Sequence, residues 1–229
     1  MCSGVLREVG MKTDMQLQKD VIDELKWQPR TRDAEIGVAA KGGVITLTGP
    51  VSSYVQKFEA ARIAERVNGV RSVADETQVK LPNSSVRNDA DIAHSVVSAF
   101  RWNIDVPDTR VTSKVQDGWV TLHGEVDWQY QKSSAENTAR YLTGVKGVNN
   151  LIVVRQATVA PEVVREQIAG ALKRSATVDA ARVNVESKPG GVVVLRGTVR
   201  SWTERNDAEC AAWATPGVAV VEDELAVHV

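Results

Sequence analysis

The chain has 229 residues, and its 28 lysines and arginines against 29 aspartates and glutamates give a formal charge of −1. This balance gives no support to a nucleic-acid-binding protein held by bulk electrostatics. No segment approaches the roughly 18 apolar residues that a membrane-spanning helix needs, and two cysteines are too few for a disulfide framework.

A pattern of alternating apolar residues occurs three times, at 43–51, 118–126 and 191–199. Such alternation predicts a strand with one buried face. Each copy carries a glycine on that face, at Gly49, Gly124 and Gly197, where we expect a packed helix or a neighbouring strand to leave no room for a Cβ. The first two glycines are 75 residues apart and the last two are 73 apart. We therefore infer one unit of about 70 residues that is used three times.

Each unit opens with an amphipathic helix followed by a hairpin. In the first copy Leu17, Val21 and Leu25 form one apolar helix face. A short strand follows, and then a tight turn that requires positive φ. The residue pairs predicted to supply this turn are Gly42 with Gly43, Asp117 with Gly118, and Gly190 with Gly191.

Each unit closes with a second helix and a last strand. Alanines four residues apart, such as Ala60 and Ala64, form one stripe, and we expect them to bring this helix close to the sheet at the strand glycine. Further glycines are expected to end the three helices as left-handed caps. They are Gly69, Gly144 and Gly217.

The predicted fold class is therefore α+β: three tandem αββαβ units, each a small three-stranded mixed sheet with two helices packed on one face. The predicted boundaries are an N-terminal extension at 1–12, repeat 1 at 13–81, a linker at 82–87, repeat 2 at 88–155, a linker at 156–159 and repeat 3 at 160–229. Linkers this short favour repeats that lie close together.

Four motifs recur through these units: a Gly-x-Val-Thr-Leu-x-Gly-x-Val strand, an Ala-x-x-x-Ala helix, a Gly-Val turn, and a Val-x-Asn/Asp start of the last strand. Together with the order of elements they resemble the BON domain of bacterial osmotic-stress and nodulation proteins. The resemblance covers residues 13–229, and repeat 3 departs from it where Val194 replaces the strand threonine.

The resemblance implies a binding module without catalysis. Relatives are linked to envelope integrity under osmotic stress, to anionic phospholipid, to chaperone-like help for outer-membrane proteins and, where a LysM domain is joined, to potassium sensing. No LysM-like segment follows here, and the first ten residues lack the apolar core of a signal peptide. We expect a cytoplasmic location for the chain as given, with the periplasm as the alternative that the family implies.

No catalytic constellation, metal-ligand spacing or phosphate-binding glycine loop repeats, so we predict no enzyme activity, no cofactor and no metal site. One polar position does repeat, at the start of the last strands: Asp75, Asn150 and Asp223. A short side-chain oxygen at this place accepts nearby backbone N–H groups, which is a structural role. The functional alternative is an oxygen ligand for a cation such as potassium.

Aromatic residues beside cations give the strongest binding signal. Tyr54, Trp128, Tyr130 and Trp202 lie near the starts of the second helices, Trp27 and Trp102 end the first helices of repeats 1 and 2, Arg101 adjoins Trp102, and Lys132 lies on the second helix of repeat 2. Such clusters suit an interfacial membrane contact. They equally suit a contact between repeats or subunits. Trp119 and Trp213 are predicted to face outward, because their counterparts in other repeats include charged or small residues.

We therefore expect a non-catalytic protein of the osmotic-stress type that associates with anionic phospholipid surfaces through Trp27, Trp102, Trp128, Tyr130, Trp202, Trp213, Lys132 and Arg101. An interaction scaffold or chaperone-like holdase, with a protein partner or a second copy of the chain, is the first alternative. A cytoplasmic potassium sensor is the second alternative.

Overall fold

The computed structural model describes residues 12–155, 159–175 and 177–227. The predicted extension before residue 12, and residues 156–158 of the second predicted linker, lie outside these ranges. The helices are α1 (Asp14–Trp27), α2 (Tyr54–Arg66), α3 (Asp89–Trp102), α4 (Gln129–Arg140), α5 (Pro161–Arg174) and α6 (Trp202–Trp213). The strands are β1 (Gly37–Lys41), β2 (Val44–Val51), β3 (Ser72–Val79), β4 (Val111–Gln116), β5 (Trp119–Val126), β6 (Gly147–Val154), β7 (Val183–Lys188), β8 (Val192–Val199) and β9 (Val220–Val227).

Each repeat is a three-stranded mixed sheet with two helices, which confirms the predicted α+β class. The middle strand pairs antiparallel with the first strand and parallel with the last. In repeat 1, α1 packs on β1, α2 packs on β3, and the two helices touch each other. Repeats 2 and 3 have the same pairings and helix contacts. In the described ranges, none of the helices combines the length and apolarity that crossing a bilayer requires.

The first helix of each repeat is amphipathic because its apolar residues recur at helical spacing. Leu17, Val21 and Leu25 are buried against Ile45 of the middle strand. Burying a side chain of this size contributes about 1.5–3 kcal/mol. The helix begins at a capping box, in which the hydroxyl of Thr13 accepts from a backbone N–H one turn later.

The hairpin turns form as the glycines predict. Gly42 and Gly43 have φ of 58° and 82°, and Lys41 pairs with Val44, so the loop has two residues with positive φ. In repeat 3, Lys188 pairs with Val192, and the loop is one residue longer.

The strand glycines are needed because a neighbouring strand approaches them. Gly124 has φ of 143°, and a Cβ there would meet the carbonyl oxygen of Arg110, just before β4. Gly49 and Gly197 are approached in the same way by the carbonyl groups of Glu35 and Arg182. Of the two predicted neighbours, a helix or a strand, the structure confirms the second: backbone that leads into the first strand of each repeat occupies the space that a Cβ would need.

The second helices end before the glycines that were expected to cap them. The last helical residues are Arg66, Arg140 and Trp213, three or four residues before the glycines. Gly144 has φ of 95° and occupies the third place of a turn closed by Val145 N and Leu142 O, 3.4 Å apart. Positive φ is what the third residue of a type II turn requires. The glycines thus turn the chain into the last strand rather than cap the helix.

Repeats 1 and 2 meet through their second helices. Tyr54 at the start of α2 packs against the core of repeat 2. Phe58, one turn later, lies against Arg140 at the end of α4, with 3.4 Å between the ring centroid and the guanidinium carbon. The start of α2 therefore lies against the end of α4.

The same relation joins the other repeats. Trp213 at the end of α6 packs against the cores of repeats 2 and 3, beside Trp128 at the start of α4. Trp202 at the start of α6 donates its indole N–H to the carbonyl of Val70, just beyond α2, at 3.0 Å. Every repeat therefore contacts both others, start to end, and this head-to-tail arrangement closes into a ring.

Candidate functional site

The ends of the first helices carry the most exposed aromatic side chains. Trp27, the last residue of α1, is 80% exposed, and Trp102, the last residue of α3, is 90% exposed. Beyond Trp102 the side chain of Ile104 is 99% exposed, and Arg101 beside it faces solvent. These four residues are called the helix-end surface below. Trp102 and Ile104 are close in sequence to Arg101, and exposed apolar groups beside a cation are typical of a binding surface.

Three further aromatic residues line a groove between repeats 2 and 3. Trp128 caps α4 and is half-buried, Tyr130 is exposed, and Trp213 ends α6, around a space of about 540 Å³. The prediction that Trp213 faces outward is wrong, because it packs against the cores of two repeats. The outward orientation of Trp119 is confirmed, since it is half exposed on the open face of its sheet. Cys210 also lines the groove, and burial raises the pKa of its thiol.

Trp202 and Lys132 take part in structural contacts. Trp202 is half-buried and its indole N–H bonds to repeat 1, as described above. Lys132 is half-buried on α4, and its backbone carbonyl accepts from the amide of Asn150 at 3.1 Å.

A polar cleft of about 490 Å³ opens where the three second helices meet. It is lined by Phe58, Arg62, Glu65 and Arg66 of α2, Ser133, Glu136, Asn137 and Arg140 of α4, and Trp202, Thr203 and Asn206 of α6. Arg140 is only 6% exposed. Its guanidinium donates to Glu136 and to Asn137, and it stacks on Phe58. We call this space the three-helix cleft.

The carboxyl of Glu65, which lines the three-helix cleft, has a shifted pKa. Burial raises the pKa of its carboxyl above the usual value of 4.5, against the opposing charges of Arg62 and Arg205. The carboxylate therefore ionises less readily than it would in water.

The repeated polar position has local partners in repeat 1. Asp75 Oδ1 accepts from the backbone N–H of Thr77 at 3.0 Å and from its hydroxyl at 2.6 Å. Lys57 of α2 lies 3.1 Å from the same oxygen. The carboxylate is thus already paired with a cation of the protein.

Repeats 2 and 3 vary the same arrangement. Asp223 accepts from Arg205 Nε at 2.6 Å and from the backbone N–H of Leu225 at 2.9 Å. Asn150 accepts from the N–H of Ile152 at 3.2 Å and donates to Glu136. These contacts tie the last strand to the second helix, which is the structural role. Across the described ranges, no group of His, Cys, Asp or Glu is arranged to hold a metal ion.

The family of the chain is shown by its match to a family model. The model described as "BON domain" matches at 13–80, 88–156 and 162–228. The chain belongs to the BON domain family. The three matches coincide with the three folded units, so each unit is one BON repeat.

Among curated proteins, "Osmotically-inducible protein Y" of Escherichia coli (strain K12) is 34% identical over 123 residues, which are 52% of this chain and 61% of that protein. The chain thus spans less than two thirds of that relative. Two solved structures of CdsD, from the type III secretion system of Chlamydia trachomatis, are similar at 16% and 15% identity. They cover 95% and 91% of this chain, and 100% and 92% of their own, with TM-scores of 0.26 in both cases. These TM-scores are too low to indicate a shared overall arrangement.

The three-helix cleft is the site that sequence reasoning missed. Its residues give no repeated signal, because the counterparts of Phe58 in the other BON repeats are Ser133 and Asn206. A partial signal was present in the charge on α2, where Arg62 and Arg66 lie four residues apart on one helix face. Ile104, which adds the most exposed apolar side chain to the helix-end surface, was also missed.

Proposed function

We propose that this BON protein is a non-catalytic component of the osmotic stress response that binds anionic phospholipid surfaces through its helix-end surface. The observation that carries the proposal is the exposure of Trp102 and Ile104, at 90% and 99%, directly beside Arg101. The link to osmotic stress is supported by the similarity to osmotically-inducible protein Y.

The ring supports a role for two repeats at once. Trp27 and Trp102 end the first helices of repeats 1 and 2, so they are equivalent positions. Head-to-tail packing that closes a ring carries equivalent positions to the same side. Indole rings are suited to the headgroup region of a bilayer, and Arg101 beside Trp102 is attracted to anionic lipid.

The test is flotation with vesicles of phosphatidylglycerol, with phosphatidylcholine vesicles for comparison, at low and high salt. We expect binding to the anionic vesicles that weakens as salt rises. Because burial of one large apolar side chain is worth a tenfold change in partitioning or more, Trp102→Ala should lower binding about tenfold.

The matched control is Trp119→Ala, which removes an indole that is also exposed but lies on an open sheet face. It should leave flotation unchanged. Equal losses for Trp102→Ala and Trp119→Ala, or no flotation of the unaltered chain at low salt, would rule out the helix-end surface as a lipid contact.

The second candidate function is a protein-binding scaffold or holdase, which the groove between repeats 2 and 3 favours. Trp128, Tyr130 and Trp213 line this groove, and aromatic residues of this kind are enriched where proteins bind one another. A protein with this function would suppress the aggregation of a client protein in the absence of lipid. Tyr130→Ala would weaken that suppression and leave vesicle flotation unchanged.

A further inference from the structure

The three-helix cleft combines features of a small-molecule site and is separate from the helix-end surface. Its volume of about 490 Å³ is within the range of ligand pockets. All three BON repeats contribute to it, since Phe58, Ser133 and Asn206 come from α2, α4 and α6. The site therefore exists only in the closed ring.

Positive charge in the cleft exceeds negative charge. Three arginines line it, Arg62, Arg66 and Arg140, against the carboxylates of Glu65 and Glu136. Arg140 is paired with Glu136. Within the described ranges, Arg62 and Arg66 form no contact ion pair with a carboxylate. Both guanidinium groups are exposed, and the charge of Arg62 also acts on the carboxyl of Glu65.

Arg140 provides an independent indication. Its side chain is more than nine-tenths buried, and its Nε–H is buried and lacks an acceptor among the residues that the structure describes. A buried donor without an acceptor destabilises a protein, and a charged donor does so more strongly. The Nε–H itself is enclosed, so an anion in the cleft would interact with Arg140 through the charge of its guanidinium, which lines the cleft.

The remaining lining residues suit an organic anion. Ser133, Thr203 and Asn206 offer hydroxyl and amide donors, and the ring of Trp202 offers an apolar face. Arginine side chains bind phosphate through paired N–H donors, which makes them common in phosphate sites.

We propose that the three-helix cleft binds a small phosphate-bearing anion, held by Arg62 and Arg66 and placed beside Arg140. The phosphate is either that of a soluble phosphate ester or that of a glycerophosphate headgroup. Three soluble probes distinguish these sources: inorganic phosphate, glycerol 3-phosphate and glycerophosphoglycerol, the deacylated headgroup of phosphatidylglycerol. Because no vesicle is present, the result does not depend on the helix-end surface.

The experiment is an NMR titration that follows the side-chain Nε–H signals of arginine at constant ionic strength. We expect saturable shifts at Arg62, Arg66 and Arg140, and none at Arg32, which lies outside the cleft and is 64% exposed. Stronger binding of glycerophosphoglycerol than of glycerol 3-phosphate would assign the site to a lipid headgroup, and the reverse order to a soluble ester.

Arg62→Gln and Arg66→Gln should each weaken binding about tenfold, since each removes a charge-assisted hydrogen bond. Arg32→Gln changes the net charge equally and should have no effect. The proposal is overturned if all three variants behave alike, or if the probes shift Arg32 as much as the arginines of the cleft. Arg62 and Arg66 are exposed at the cleft, so these variants are expected to fold.

Discussion

One residue position on the second helix has a different part in each repeat. It holds Glu65 in repeat 1, Arg140 in repeat 2 and Trp213 in repeat 3. Glu65 and Arg140 line the three-helix cleft, whereas Trp213 fills the groove between two cores. The charged counterparts suggested a solvent-facing position for Trp213, because sequence alone does not show that the end of each second helix lies against another repeat.

Glu65→Gln is expected to stabilise the fold near neutral pH. Burial raises the pKa of Glu65 in the folded chain, so the free energy of unfolding falls as the pH rises above the usual value of 4.5, and the loss is complete once the pH exceeds the raised pKa. Below the usual value of 4.5 the carboxyl is protonated in both states, and the difference disappears. The increase in the free energy of unfolding should be under about 1 kcal/mol, because the cleft is open to water, which screens the charge. Urea unfolding of both proteins at pH 7 and at about pH 4 measures it.

Glu76→Gln is the control, because Glu76 is exposed on β3, does not line the cleft and has no ion pair among the described residues. If Glu65→Gln raised the free energy of unfolding equally at both pH values, ionisation of Glu65 would not be the cause. The same conclusion would follow if the control variant raised it as much.

At the scale of the element, the hairpin and its glycines were predictable, because the cause is local. Gly42 and Gly43 adjoin one another in sequence, and the two-residue turn requires positive φ at both. The role of Gly49 was only half predictable. Alternation placed it on the buried face, but the atom that excludes a Cβ belongs to Glu35, two residues before β1.

Substitution of the strand glycine and of the turn glycine should lower the free energy of unfolding by different amounts. Gly49→Ala places a Cβ against the carbonyl of Glu35 at φ of 110°, so backbone must move. We expect a loss of about 3 kcal/mol or more in unfolding free energy. Gly42→Ala has φ of 58° and open space around it, and should lose only about 1–2 kcal/mol. Chemical denaturation of both variants tests this, and equal losses would show that φ rather than the close approach dominates.

At the scale of the whole molecule, contacts between second helices hold the ring. The contact of Phe58 with Arg140 is the tightest of the described arginine–aromatic pairs, at 3.4 Å. Repeat identity, fold and order were predictable from the 75- and 73-residue spacings. Ring closure was not, because Phe58, Arg140 and Trp202 do not recur at equivalent positions.

Phe58 and Arg140 should be strongly coupled. A double-mutant cycle with Phe58→Ala and Arg140→Met, measured by urea unfolding, should give a coupling free energy of about 1–2 kcal/mol, because the guanidinium is desolvated on the ring face. The cycle of Phe58→Ala with Arg62→Met should give about 0.5 kcal/mol or less, since Arg62 is exposed and lies 5.9 Å from the same ring. Similar coupling in both cycles would mean that the contact between repeats is not specific.

Ring closure within one chain has a consequence for how the three units diverge. Three separate copies would need a high concentration to assemble, whereas short tethers make assembly a property of the single molecule. Separate identical copies would also repeat every side chain around the axis. Here the equivalent positions hold Phe58, Ser133 and Asn206. Three side chains of different chemical type therefore surround the axis of the ring. A covalent pseudo-trimer can thus offer one asymmetric pocket, shaped for a ligand that has no threefold symmetry of its own.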